Sequence, residues 1–159
     1  MAGDQGGARL AVVVTSNAYK DRQQEIVHED AWRKYIERVW KDDTFTGDNP
    51  LLFWHAGDPI GDIIYSDMVG AFLVEVARER PDQQINLAAK GREPVFSTVK
   101  AVWDMLQQSD AEWGASPEFV FFERDREDGE YEQVSKIETS VVPRKHAANA
   151  YTFFSVIGE

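Results

Sequence analysis

Three histidines, His28, His55 and His146, are the only imidazoles among 159 residues, and the chain has no cysteine. Without cysteine, disulfides, thiolate metal sites and a thiol nucleophile are excluded together, which leaves hydroxyl, imidazole and carboxylate chemistry. His28 opens HEDAW and lacks a second histidine four residues on, so the zinc-protease helix motif is missing and the residue reads as flanking a helix. His55 follows the apolar LLFW and precedes AGDPIG, a turn with two glycines and a proline. A histidine at such a strand end can project from a rigid element into a cleft. Ser116 lies in EWGASPEFVFF, between a helix end and an apolar strand, where the small neighbours Gly114 and Ala115 let a nucleophile be reached. Glu138 sits among apolar residues in KIETSVVP. If buried, its carboxylate needs a partner, and an imidazole is one. A serine hydroxyl is a weak nucleophile near neutral pH and requires a base and a third group that orients the base. These residue types can together perform acyl transfer. By pattern alone, two plainer readings stay open: His55 as a packed strand-edge imidazole and Glu138 as a solvent-facing carboxylate.

His55, Ser116 and Glu138 are far apart in the chain, so only a folded sheet can bring them together. Residues 9–16, RLAVVVTS, read as a buried first strand. The polar DRQQE stretch leads into HEDAWRKYIERVW, where Ala31, Trp32, Tyr35, Ile36 and Val39 recur at helical spacing. Residues 42–50 carry Gly, Asn, Asp and Pro and read as a loop. Residues 51–55 form a short strand, Gly57-Asp58-Pro59 a turn, and 60–66 with 70–77 two strands around a tight connection. Residues 94–108 read as a second helix with Pro94 in its first turn, and 118–123, 131–142 and 151–157 as three further strands, the first two joined by a charged tip. This order lacks the alternation of a doubly wound parallel sheet. The fold class expected is α+β, a mostly antiparallel β-barrel decorated by helices. One domain is expected over 9–159, after a flexible N-terminus at 1–8.

Lys and Arg number 17 against 28 Asp and Glu, a formal charge of −11, which argues against nucleic acid or an anionic membrane as partner. No apolar run approaches the roughly 20 residues that span a bilayer, and the first residues lack the basic start and apolar block of a secretory signal. A cytoplasmic location is expected. The G-x-S-x-G elbow of α/β-hydrolases is not matched, because Glu118 takes the second glycine's place. Nothing in the histidine spacing supports a three-histidine zinc site. No metal and no cofactor are expected.

Four segments, in order, resemble the prohead (capsid maturation) protease family of tailed bacteriophages, which is related in fold to the herpesvirus assembly proteases. SNAYKDRQQEIVHEDAW is similar to the family's N-terminal strand, turn and helix, and LLFWHAGDPIGDI to its strand, His and Pro-Ile-Gly signature. GASPEFVFF resembles the serine strand, and KIETSVVPRKHAANAYT the segment in which Glu-x-Ser-Val-Val-Pro precedes an Ala-Asn pair. The resemblance implies a serine endopeptidase with His55 as base, Ser116 as nucleophile and Glu138 as third member. Because the herpesvirus relatives use a second histidine there, His146 is the fallback for Glu138. It further implies a herpesvirus-protease-like fold, the scaffold protein and major capsid protein as partners and substrates, self-association and self-cleavage, and a place inside the assembling prohead in the host cytoplasm. A noncatalytic capsid-assembly module retaining the fold is the alternative. One departure stands out: the family commonly has glycine two places after the serine, where this chain has Glu118, preceded by Pro117, which has no N–H to offer an oxyanion.

Overall fold

The structure, a computed structural model, describes residues 8–17, 26–27, 29–39, 49–108, 112–124, 130–147 and 151–158. The expectations for the first seven residues, the DRQQE stretch, His28, most of the 42–50 loop and the tip at 125–129 lie outside the described residues. Among the described residues ten strands are formed: β1 (Leu10–Asn17), β2 (Ile26–Val27), β3 (Pro50–Phe53), β4 (Ala56–Val69), β5 (Phe72–Glu79), β6 (Gln84–Asn86), β7 (Phe96–Thr98), β8 (Trp113–Arg124), β9 (Glu130–Pro143) and β10 (Phe153–Gly158). The helices among these residues are α1 (Glu29–Val39) and α2 (Val99–Gln108), and a 3₁₀ turn, Arg144–His146, follows β9.

Eight strands make one sheet in the order β10-β1-β5-β4-β3-β9-β2, with β8 on β9 as well, and β6 with β7 forms a separate two-stranded ribbon. The pairings are antiparallel except β2 and β3 on β9. The sheet curls until β8 nears β10, and the backbone N–H of Ala115 bonds Thr152 Oγ1 (3.1 Å) just before β10 begins. The result is a nearly closed, mostly antiparallel barrel with two helices. β8 therefore stands at a seam, where a proline such as Pro117 breaks the fewest ladder bonds.

Ala11, Val13, Leu51, Ile60, Ile63, Ala77, Ala115, Val141 and Phe154 form one core with Val99, Val102, Trp103 and Leu106 of α2. α1 packs Ala31, Trp32, Tyr35 and Ile36 with Met68 and Leu73 in a second cluster. Buried Glu75 accepts from Thr15 Oγ1 (2.7 Å), Thr139 Oγ1 (2.8 Å) and Ser66 Oγ, which ties β1, β4 and β9 to β5. At the barrel's edge Arg9 binds both oxygens of Glu79, and its other nitrogen reaches Asp104 (2.8 Å), anchoring α2.

Three expectations are corrected. The tight connection expected between residues 66 and 70 lies at Gly70-Ala71, so β4 runs on to Val69 and β5 begins at Phe72. The turn placed at Gly57-Asp58-Pro59 lies three to four residues earlier, at Trp54-His55, and Gly57 to Pro59 belong to β4. Gly57 has φ 74°, and a Cβ there would stand 2.5 Å from the carbonyl oxygen of Asn86, so close approach of the β6 ribbon accounts for this glycine. The second helix starts at Val99 rather than Pro94, because residues 96–98 pair with β6. Thr98 then caps the helix by accepting the N–H of Ala101 (3.1 Å).

Candidate active site

His55 is the second residue of a two-residue hairpin turn, which Phe53 and Ala56 close. Trp54 and His55 both hold left-handed backbone, with φ 59° and 58°. Such turns match the twist of the strands but ordinarily use Asn and Gly. Side chains like these pay about 1–3 kcal/mol each for that conformation, and the surroundings must hold them in it. The N–H of Trp54 donates to the carbonyl of Val141 (3.1 Å), and the N–H of His55 to Ser140 Oγ (2.9 Å). Both acceptors lie on β9, which β3 joins in parallel register. The hairpin tip is thereby fastened onto β9.

Across β8 and β9, Ala115 faces Val141, Ser116 faces Ser140 and Glu118 faces Glu138. Ala115 and Val141 point into the core. Alternation then turns Ser116, Ser140, Glu118 and Glu138 to the opposite face of the sheet, where the His55 tip lies. Ser116 is within β8 itself, rather than between a helix and a strand as expected from the sequence.

His55 Nδ1 is 2.5 Å from Glu138 Oε1, and the other oxygen of Glu138 accepts from Ser140 Oγ at 2.7 Å. The Glu138 side chain is 4% exposed and that of His55 is 37% exposed. A carboxylate at Nδ1 keeps the proton there and leaves Nε2 to accept one, the arrangement a histidine base requires. The hydrogen bond to Glu138 raises the His55 pKa above its ordinary value; burial opposes it, and the charges of Glu138 and then Glu118 add to it. Ser116 is half-buried. Directly paired strand residues hold their Cβ atoms roughly 4.5–5.5 Å apart, so Ser116 stands beside Ser140, the residue that grips the His55 backbone. No hydrogen bond joins Ser116 to His55 among the described residues.

His146, the fallback for the third role, packs its ring against Trp54 with centroids 5.3 Å apart, and it is Glu138 that occupies His55 Nδ1. Glu118, two places beyond Ser116, shares its face, and its carboxylate lies with those of Glu138 and the His55 ring within 4.8 Å. These three side chains are the group, among the described residues, with a donor set that could hold a metal ion. Ser140 is the site residue that sequence reasoning did not single out. Its signal was its place two residues after Glu138, on the same face of a strand. No protein-family model, curated protein or solved structure matches the chain.

Proposed function

We propose that the chain is a serine endopeptidase of the prohead maturation class, with a barrel of the herpesvirus assembly protease type. The observation that carries this reading is the 2.5 Å bond from His55 Nδ1 to buried Glu138, made over the strand face that Ser116 shares. In the mechanism, His55 Nε2 takes the Ser116 proton as Oγ attacks the scissile carbonyl. The imidazolium, stabilised by Glu138, returns the proton to the leaving amine, and water then hydrolyses the acyl-enzyme by the same route. By the sequence resemblance, the substrates are the scaffold protein or the scaffolding segment of the major capsid protein, with self-cleavage, inside the assembling prohead in the host cytoplasm.

Coexpression with a scaffold-bearing capsid protein tests this reading. Wild type cleaves its partner, while Ser116→Ala leaves it intact and melts at the wild-type temperature. Cleavage by Ser116→Ala would reject Ser116 as nucleophile. One feature favours a second reading, a noncatalytic assembly module with the same barrel. Pro117 supplies no N–H, and Glu118 brings negative charge to the face where an oxyanion would form. That module binds capsid or scaffold protein and cleaves neither.

A further inference from the structure

We infer that Ser140 is a positioning residue of the site, fixing both the base and its carboxylate. The inference rests on the serine endopeptidase reading and goes beyond its three residues. Ser140 is fully buried, and its one hydroxyl makes two bonds that point to different parts of the constellation. As donor it reaches Glu138 Oε2 (2.7 Å); as acceptor it takes the backbone N–H of His55 (2.9 Å). A serine oxygen has one proton and two lone pairs, so this pair of bonds sets the direction of its proton.

The two bonds meet separate demands. Glu138 has two oxygens; with Oε2 accepting from Ser140, Oε1 is left to face His55 Nδ1. His55 stands in a left-handed turn that its own side chain does not favour, and the bond from its N–H helps keep the ring over β9. Ser140 also pairs directly with Ser116 across the strands. One hydroxyl thus sets the carboxylate and the imidazole backbone from the position next to the nucleophile. Partners one step removed from the reacting atoms commonly change activity about 10- to 100-fold when removed, as documented for the outer ligand shells of metal sites.

The decisive comparison is Ser140→Ala with Ser140→Thr, the second restoring a hydroxyl at the same Cβ. Ser140→Ala is expected to lower kcat about 10- to 100-fold with KM within about twofold, the pattern of a base less well positioned for the chemical step while substrate binding is kept. In the proton NMR spectrum, the His55 Nδ1 proton of this variant is expected to shift and exchange faster with water, and Ser140→Thr to recover both readouts in part. Thermal unfolding separates these effects from loss of fold. An unchanged Nδ1 proton and pH titration of His55 in well-folded Ser140→Ala would overturn the inference. The NMR readout needs no turnover. If the wild type cleaves nothing while the Nδ1 proton still responds to Ser140→Ala, the endopeptidase reading fails and the positioning role of Ser140 stands.

Discussion

The chemistry proposed for Ser116 depends on the tautomer of one imidazole, and Glu138 controls it. Glu138→Gln keeps the size of the side chain but presents an amide to Nδ1. It is expected to lower kcat about 10⁴-fold while leaving the fold in place, the scale seen when the carboxylate of a Ser-His-Asp triad is changed to its amide; burst and steady-state kinetics on a peptide substrate measure it. In the proposed mechanism the neutral ring is the working form, and Glu138, then Glu118, favour the charged form. The acid limb of kcat/KM is therefore expected above the ordinary histidine value of about 6.5. Glu118→Gln removes one negative charge from the surroundings of His55, so it lowers the imidazole pKa and moves this limb to lower pH. A limb that stays in place would show that Glu118 does not act on His55. The residue types of this site were legible because histidines are few and cysteine is absent. Ser140 was legible only as a neighbour of Glu138 on one strand face; that its hydroxyl meets a backbone N–H from a residue 85 positions away depends on the fold.

At the scale of elements, the hairpin β3-β4 delivers His55, and its rear is packed tightly. Ile60 is fully buried and its carbonyl accepts the indole N–H of Trp103 (2.9 Å). Next to it, a Cβ on Gly61 would lie 2.6 Å from the Arg78 carbonyl oxygen and 3.3 Å from both Leu51 Cδ2 and Trp103 Cζ2. Gly61→Ala must push β4 away from β5 and is expected to cost about 1–3 kcal/mol, read as a lower urea midpoint at unchanged slope. The helix α1 and strand β1 were legible from their apolar patterns, and β5 was legible as a strand although it begins two residues later than expected, because Gly70-Ala71 make the turn. The His55 turn was hidden because glycine, aspartate and proline, the usual turn formers, follow it within a few residues. In that turn the N–H groups of Trp54 and His55 find their acceptors, Val141 and Ser140, on another strand. Likewise, Pro94 suggested a helix start, but the ribbon with β6 claims residues 96–98 and Thr98 provides the cap.

Across the whole molecule, the barrel brings the three segments together by placing β9 between β3 and β8. One neighbour carries the histidine at its turn and the other carries the serine. The composition of strands and helices was readable as a barrel with two helices, whereas the parallel placement of β3 on β9 depends on long-range register that no local pattern encodes. That placement underlies the proposed catalysis, since it sets His55 above the face shared by Ser116 and Glu138. The most direct test is treatment of the folded protein with a fluorophosphonate probe, followed by mass spectrometry of the peptides. Phosphonylation of Ser116 alone is expected, abolished in Ser116→Ala and strongly slowed in His55→Ala. Absence of label on Ser116, or equal labelling with and without His55, would contradict an activated serine at this site.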